Sequence, residues 1–271
     1  MTGPVRSSIL MRSLRIAALQ LRLGATSGMA YRSDFLLEGV LALIWIALTL
    51  LPWFVLFDGR PTVAGWDRSE ALIVIAYFTA VRAVLEGLIS PSLVDLVEKL
   101  RAGTLDYVLL KPVDAQVMIS TSRCEPWKVF DLLFAVGLAV YAFAERGAAP
   151  APGDVALGLA MFVAGLLVMY ALWVLCAAAS FWVVRLDNLT FLLGAIFDVA
   201  RWPVDVFRGV WGFVFTFIIP VAVMTTFPAM ALLGTLDART ALATIGGALA
   251  LVVGSRLVWR MAIRNYTSAS S

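Results

Sequence analysis

The sequence predicts an all-α integral membrane protein, and its composition and apolar run lengths carry that prediction. Hydrophobic residues make up 62% of the 271 residues and charged residues 14%, whereas soluble domains average about 25% charged residues. Several apolar stretches reach about 20 residues, enough to cross a hydrocarbon core of about 30 Å as a helix. About five or six such spans would occupy almost half the chain. We therefore expect a single transmembrane domain over residues 1–271, without a separate soluble catalytic domain.

Missing residue types exclude several kinds of active site. The chain has no histidine, which excludes His-ligated haem, Ser–His dyads and the H-E-x-x-H zinc site. A Walker A loop needs a lysine directly after its second glycine, but Lys99, Lys111 and Lys128 all follow other residues. Basic and aromatic residues do not interleave as they do in nucleic-acid-binding proteins. We therefore expect no metal or cofactor on this chain, no nucleic acid as a partner, and ATP with Mg²⁺ only on another polypeptide.

Five spans are clear in the sequence, each of them an apolar run bounded by charged residues, proline or glycine. The fourth run carries no formal charge and is long enough to tilt in the bilayer. The expected spans are Phe35–Phe57, Glu70–Ile89, Val129–Phe143, Val155–Val184 and Ala241–Trp259.

The stretch between residues 188 and 234 allows two interpretations. In the first, Trp211–Met230 is the fifth span. In the second, Asn188–Trp202 is a short fifth span, and Trp211–Leu233, which two prolines interrupt, folds back within the outer leaflet. Non-helical backbone at that depth is tolerated only where it is buried in protein or lines a cavity. The candidate residues for such a re-entrant gate are Pro220, Phe227 and Pro228.

Residues 1–30 are predicted to form an amphipathic helix at the cytoplasmic membrane surface. At about 100° per residue, Arg12, Arg15 and Arg22 fall within one arc of roughly 80°, opposite an apolar side. Arginines in such an arc face anionic headgroups when a helix lies in the interface. The alternative is an ordinary amphipathic helix that packs on protein.

Basic residues indicate the orientation, because cytoplasmic loops carry the excess of lysine and arginine. With both termini inside, sixteen Lys and Arg residues face the cytoplasm and four face the exterior. In the re-entrant interpretation the counts are fourteen and six. Both termini are therefore expected in the cytoplasm.

Residues 91–128 form the most informative polar segment, a loop between the second and third spans. Its first part predicts a helix that ends at Gly103, in the position where glycine commonly terminates helices. A second short helix is expected to be capped by Thr104, to carry Asp106 in its first turn and to stop at Lys111-Pro112. Such a pair of rigid surface helices can dock a partner and transmit force. The alternative is a structured loop without a partner.

Charged residues inside or near the predicted spans form a second candidate site. Arg82 and Glu86 are four apart, and Asp198 and Arg201 are three apart, so each pair shares a helix face. Charges within a membrane are energetically costly and are functional-site candidates. Each pair is either a structural ion pair or part of a substrate or ion pathway.

The stretch Leu100–Pro112, with the sequence LRAGTLDYVLLKP, is the most specific motif of the chain. Further motifs begin at Tyr31 (YRSDF), Gly65 (GWDRSE), Ser180 (SFW), Arg201 (RWP), Val206 (VFRG), Phe217 (FIIPV), Phe227 (FPA) and Arg264 (RNYTSAS). In this order and spacing, the chain resembles the membrane (permease) subunits of type-2 ABC exporters, in the bacterial branch that is encoded apart from its ATPase. The resemblance extends over most of the chain.

The resemblance implies six transmembrane helices, an N-terminal amphipathic connecting helix, a cytoplasmic coupling helix between spans two and three, and re-entrant helices before span six. It implies a second permease subunit, identical or paralogous, and two copies of an ABC ATPase that binds ATP and Mg²⁺. It also implies a multi-pass protein of the bacterial plasma (inner) membrane, with no catalysis on this chain. The residues expected to couple to the ATPase are Gly103, Thr104, Leu105, Asp106, Leu109, Leu110, Lys111 and Pro112.

The expected function is that of a permease subunit of an ATP-driven exporter, which forms half of the translocation pathway. Two alternatives stay open. One is an ion-coupled secondary transporter that uses Arg82 with Glu86, or Asp198 with Arg201, as a relay. The other is an intramembrane enzyme that depends on carboxylates alone, although no paired D-x-x-D cluster is present.

Overall fold

The computed structural model describes residues 4–30, 32–182, 194–195 and 197–265, and these ranges form a bundle of helices with one two-stranded hairpin. This confirms the predicted all-α membrane class. The long helices are α1 (Pro4–Ala30), α2 (Arg32–Phe57), α3 (Arg68–Val84), α7 (Val129–Arg146), α8 (Pro152–Ala179) and α12 (Ala238–Arg264). The shorter elements are β1 (Thr62–Val63), β2 (Trp66–Asp67), α4 (Ser90–Arg101), α5 (Asp106–Leu109), α6 (Ala115–Ser120), α9 (Val210–Phe213), α10 (Val221–Met224) and α11 (Thr226–Leu232).

Five helices within the described ranges are long and apolar enough to cross a membrane. They cover Leu37–Phe57, Arg68–Arg101, Pro126–Arg146, Pro152–Ala179 and Ala238–Arg264. The fourth ends at Ala179 rather than at the predicted Val184, and the hydroxyl of Ser180 donates back to the carbonyl of Ala177 at this end. The short fifth span that the second interpretation places over Asn188–Trp202 is described only at residues 194–195 and 197–202, so its prediction stays untested over residues 188–193 and 196.

The second span and α4 form one continuous rod, whereas the sequence predicts a span that ends at Ile89 and a separate loop segment from Pro91. Helix runs from Arg68 to Arg101, and a π-helical turn at Leu85–Ile89 lies just before the proline. Proline has no N–H, so the carbonyl of Gly87 loses its partner within the helix. The backbone N–H of Glu125 donates to that carbonyl at 2.7 Å. The helix therefore continues past Pro91 with the help of two features, the π-helical turn and the hydrogen bond from Glu125.

The β-hairpin and the polar loop mark opposite ends of the bundle. β1 pairs antiparallel with β2, and Asp67 then begins α3 in a capping box with Glu70. Arg146, the last residue of α7, donates to the Glu70 carboxylate at 2.9 Å. We call this end of the bundle the hairpin end. The opposite end, which carries residues 102–125, is the loop end.

Helix α8 is the centre of the packing. It contacts α12 along one side and both α10 and α11 along another, while α3 packs against α7. Helix α2 differs, because most of its large apolar side chains are exposed. A helix face of this kind meets lipid or another subunit. The exposed residues include Leu37, Val40, Leu43, Ile44, Trp45, Leu48, Leu51, Phe54 and Val55.

The segment from α9 to α11 is broken rather than continuous. Helix stops at Ile219-Pro220 and again at Thr225. The structure therefore rules out a single continuous helix over Trp211–Met230. Of the candidate gate residues, Pro220 lies at the first break, Pro228 is buried in α11 and Phe227 is half-buried.

This broken segment leaves the hairpin end, reaches about halfway along α8 and returns. Before it starts, Asp205 accepts a hydrogen bond from the indole of Trp66 at 3.0 Å. After it ends, Gly234 lies beside the first turn of α8. Between these points the backbone of Met224 contacts Gly165, which is about 13 residues, or about 20 Å, along α8. The path is re-entrant, as the second interpretation predicts.

We expect Gly165→Ala to destabilise the protein relative to a matched Gly137→Ala variant. A Cβ at Gly165 would lie 2.9 Å from the carbonyl oxygen of Val223, so the backbone of the re-entrant segment has to shift. A Cβ at Gly137 meets nothing within 4 Å. Both changes gain the same helix propensity of up to about 1 kcal/mol, and overpacking separates them by about 1–3 kcal/mol.

Thermal unfolding of the two purified variants in detergent measures this difference. Equal unfolding midpoints of Gly165→Ala and Gly137→Ala would show that the re-entrant segment does not pack closely against α8 at Gly165.

Candidate functional site

The turn between α4 and α5 is fixed by its backbone. The N–H of Gly103 donates to the carbonyl of Leu100 at 3.3 Å. The N–H of Thr104 donates to the carbonyl of Lys99 at 2.9 Å. Gly103 has a φ of 66°, a conformation that glycine adopts without strain. These are the two hydrogen bonds of a Schellman motif, so the predicted helix end at Gly103 is correct.

Helix α5 buries one side and exposes the other. Leu105 is fully buried, at 0% exposure, and Val108 is buried in the same core cluster. Tyr107 and Leu110 are 71% and 81% exposed. A large aromatic and a large aliphatic side chain thus project together from a rigid turn. The surface that we call the docking surface consists of Thr104, Tyr107, Leu110, Lys111 and Pro112, all of them exposed.

The predicted coupling residues divide according to burial. Leu105 is an anchor rather than a contact residue, and Asp106 and Leu109 are half-buried. The predicted cap at Thr104 is wrong, because no side chain caps the N-terminus of α5. Tyr107 is not among the predicted residues. The sequence feature that could have identified it is its position between the apolar residues Leu105 and Val108, both of which are buried.

The base of the docking surface is α6, which is capped by Asp114. The Asp114 carboxylate accepts hydrogen bonds from the backbone N–H groups of Gln116 at 3.0 Å and Val117 at 3.2 Å. Arg256 of α12 forms a bidentate pair with the same carboxylate. Burial alone would raise the pKa of the Asp114 carboxyl, but the bonds from Arg256 and the two N–H groups hold it below its ordinary value. The carboxylate is therefore charged at neutral pH.

Two further helices hold α6 in place. The hydroxyl of Tyr170 on α8 bonds to the amide of Gln116 at 2.9 Å and to the hydroxyl of Ser120 at 2.8 Å. The hydroxyl of Ser13 on α1 accepts from the N–H of Asp114 at 3.0 Å. The docking surface thus stands on a base that is joined to α1, α8 and α12.

Helix α1 packs on the loop end with one face and exposes the other. Ser13 and Ala17 are buried, and Gln20 accepts a hydrogen bond from Thr121 at 2.8 Å. Packing on protein is therefore one part of its role. The predicted arginine arc lies on the opposite side, where exposed apolar residues accompany it. The exposed residues of this side are Met11, Arg12, Arg15, Leu19, Arg22 and Leu23.

The two predicted charge pairs exist and are joined. The Nε atom of Arg82 lies 2.6 Å from Oε1 of Glu86. Nη2 of Arg201 lies 3.4 Å from Oδ1 of Asp198. Nη1 of Arg82 also approaches that Oδ1, at 3.6 Å. The two pairs are therefore parts of one network.

The network continues to two residues that sequence spacing does not connect with it. Nζ of Lys128 lies 2.6 Å from Oε2 of Glu86 and 3.3 Å from Oδ2 of Asp131. The network then holds three basic and three acidic groups, so its net charge is zero. Each group has a partner of opposite sign, which favours the structural interpretation over an ion relay.

A polar recess adjoins the network and opens toward the loop end. A cavity of about 150 Å³ lies between α2, α3 and α7. A larger open vestibule of about 1050 Å³ at the loop end shares four of its lining residues. In the part of the chain that the structure describes, no group of three or more His, Cys, Asp or Glu is placed to hold a metal ion. The shared lining residues are Glu38, Glu86, Trp127 and Lys128.

We expect Glu125→Gln, in the wall of this vestibule, to stabilise the protein at neutral pH. Burial raises the pKa of the Glu125 carboxyl, and the nearby carboxylates of Glu86 and Glu38 raise it further, against the opposing charge of Lys128. Ionising this group therefore costs the folded state free energy. The cost is absent below the ordinary Glu pKa of about 4.3 and grows as pH rises through the raised value.

Unfolding midpoints of the variant and the wild type, measured from pH 4 to 8, check this prediction. The midpoints are expected to converge at the acid end and to separate toward neutral pH. Gly137→Ala, which changes no titratable group, is the control and should show a difference from the wild type that does not change with pH. A Glu125→Gln effect that is constant over this range would contradict the prediction.

The geometry is that of a membrane bundle with a rigid docking surface at one end and a re-entrant segment at the other. A family model described as "ABC-2 family transporter protein" matches residues 43–270. The chain belongs to the ABC-2 transporter family. A search of curated proteins and a search of solved structures each found no match.

Membership of the ABC-2 family makes the chain a membrane-spanning permease of an ABC transporter, and it confirms the resemblance to type-2 permease subunits. The family implies an ABC ATPase partner and a dimeric arrangement. It also favours transport over intramembrane enzyme activity. The match begins within α2, so α1 lies outside it.

Proposed function

We propose that this ABC-2 permease forms half of the pathway of an ATP-driven exporter and receives its driving force at the docking surface. The observation that carries the proposal is the exposure of Tyr107 and Leu110 on a base that is bonded to three helices. Tyrosine is among the residue types that contribute most binding energy in protein interfaces. The exposed side chain of Leu110 adds apolar surface that a partner can bury. A rigid base transmits movement that a flexible loop would absorb.

The proposed role requires two kinds of partner, an ATPase that supplies the driving force and a second permease subunit. Two ABC ATPase subunits bind ATP and Mg²⁺, and each contacts one docking surface through the segment Gly103–Pro112. A second permease subunit, identical or paralogous, completes the pathway. The exposed apolar face of α2 supports this arrangement, because it has no protein neighbour in the described chain.

The loop end faces the cytoplasm of a bacterial cell, with the protein in the plasma membrane. Support comes from the distribution of basic residues, since cytoplasmic segments carry most of the Lys and Arg. The loop end and the adjoining helix termini carry Arg12, Arg15, Arg22, Lys99, Arg101, Lys111, Arg123, Arg260 and Arg264. The hairpin end carries Arg60, Arg68, Arg146 and Arg239.

Nucleotide changes the pathway because the ATPase pair binds ATP better in one arrangement than in the other. When the ATPases close, they displace the two docking surfaces, and the spans behind them follow. ATP hydrolysis then restores the first arrangement. In this cycle the permease performs no chemistry.

The test is co-purification of the permease with an ABC ATPase from its own cells. The permease carries the affinity tag, and the complex is isolated in mild detergent. We expect the ATPase to be retained and to hydrolyse ATP when the complex is reconstituted in lipid nanodiscs. Failure to retain the ATPase, together with discharge of a proton or sodium gradient by the permease alone in vesicles, would establish the secondary-transporter alternative instead.

A further inference from the structure

One arginine joins the base of the docking surface to the last spanning helix. Arg256 donates two hydrogen bonds to the Asp114 carboxylate, one to each oxygen, and a third to the side-chain oxygen of Gln116. Asp114 and Gln116 belong to the N-terminus of α6, and Arg256 lies 142 positions later, in α12. Guanidinium groups that bind a carboxylate in this forked way fix orientation as well as distance.

The ion pair bridges two helices that have different main neighbours. The extensive packing of α12 is against α8, whereas that of α6 is against α1, α4 and α5. About 29% of the Arg256 side chain and 28% of the Asp114 side chain are exposed, so the pair is largely shielded from solvent. A shielded, bidentate pair holds its geometry better than an exposed one does.

The far end of α12 contacts the re-entrant segment. Ala241, in the first turn of α12, is buried in a cluster with Ala231 of α11 and Met161 of α8. The connection between α11 and α12 is short, because α11 ends at Leu232 and α12 begins at Ala238. A displacement of α12 along its axis or about it therefore reaches the re-entrant segment directly.

We infer that Arg256 is a positioning residue for transport, which passes displacement of the docking surface through α6 to α12 and from there to the re-entrant segment. The inference rests on the proposed function, in which ATPase closure moves the docking surface. The path has three links: α5 and α6 as a rigid unit, the Arg256–Asp114 pair, and α12 as a rod. Substitution of Arg256 removes this pair, together with the bond to Gln116, without altering either helix backbone.

The experiment measures movement at the hairpin end in the complete permease–ATPase complex. Spin labels are placed at Val140→Cys on α7 and Leu242→Cys on α12, both exposed, in a background with Cys124→Ser and Cys176→Ser. Labelled chains are diluted so that each complex carries one. Double electron–electron resonance compares the nucleotide-free complex with the vanadate-trapped complex. We expect the wild-type distance distribution to shift on trapping.

In Arg256→Ala we expect the ATPase to be retained and to hydrolyse ATP at a rate within about twofold of the wild type, while the distance shift is lost. Arg256→Lys keeps the positive charge but loses the fork. Arg256→Lys should show less than half of the wild-type shift. It tests the inference in place of Arg256→Ala if the alanine variant does not fold. Arg260→Ala, which removes an exposed arginine from the next turn of α12, is the control and should keep the full shift.

The outcomes separate the inference from the proposed function. A full shift in both Arg256 variants overturns the inference, as does a wild-type complex in which α12 does not move on trapping. Equal loss of the shift in the Arg260→Ala control also overturns it, because any charge removed from α12 would then have the same effect. If the wild-type permease retains no ATPase, the proposed function itself is overturned.

Discussion

Leu110→Glu is expected to weaken binding of the ATPase by at least about 30-fold, corresponding to about 2 kcal/mol or more. Leu110 is the most exposed large apolar side chain of the docking surface, so an interface that covers it gains much of its apolar burial there. A glutamate at this position removes that burial and forces the partner to desolvate a carboxylate. The measurement is the fraction of ATPase retained on the tagged permease, followed by a binding titration in detergent.

The neighbouring residues provide the contrasts. Tyr107→Ala should also weaken ATPase binding without altering the thermal stability of the permease, because its ring is mostly exposed. Leu105→Ala should lower the free energy of unfolding by about 2–5 kcal/mol, because Leu105 is fully buried. Val94→Glu introduces the same charge at an exposed position that lines the vestibule instead. If Leu110→Glu retains as much ATPase as Val94→Glu does, the docking surface does not bind the ATPase and the coupling mechanism proposed for it is wrong.

Glu86→Ala is expected to destabilise the permease by about 2 kcal/mol. Removal of one partner from a fully buried ion pair costs about 3–5 kcal/mol, and the smaller value applies here because about a third of the Glu86 side chain is exposed. Glu86 lies between Arg82 and Lys128, so its loss leaves Arg82 with the more distant Asp198 and Lys128 with Asp131. Thermal unfolding of the purified permease measures the change.

A double-mutant cycle of Arg82→Ala and Glu86→Ala isolates the energy of that pair. We expect a coupling energy of about 1 kcal/mol or more, within the range observed for residues in one ion-pair network. The matched control is the cycle of Arg68→Ala and Glu145→Ala at the hairpin end, where the two atoms are 3.6 Å apart rather than 2.6 Å and the arginine is more exposed. That pair should couple by less than about 0.5 kcal/mol. Indistinguishable coupling in the two cycles would mean that the network near the recess is not a stabilising unit.

Features that depend on neighbours in sequence were predictable. Hydropathy located the described spans, because a chain must bury its backbone polar groups in helices wherever lipid surrounds it. Residues three or four apart on a helix face the same way, so spacing identified the Arg82–Glu86 and Asp198–Arg201 pairs. The helix end at Gly103 was predictable because its hydrogen bonds are local.

Features that depend on which helix faces meet were not predictable. The sequence predicts that the second span ends at Ile89, yet the helix continues through Pro91, where the backbone N–H of Glu125 supplies a hydrogen bond to the carbonyl of Gly87. Thr104 fits a cap by composition, but no side chain caps α5, and the capped helix in this loop is α6, at Asp114. The contact of Gly165 with the re-entrant backbone has no signature within α8 itself.

The sequence by itself determined that this protein is an all-helical membrane protein with a short structured loop, since hydropathy, spacing and helix ends act over a few residues. The permease role came from the resemblance of its motifs to a family. The tertiary structure alone decided that Leu105 is an anchor while Tyr107 and Leu110 face outward, and that Arg256 reaches Asp114 across 142 positions. The physical reason is that burial and long-range ion pairs depend on how whole helices pack. A helix has the same local pattern whichever neighbour covers it.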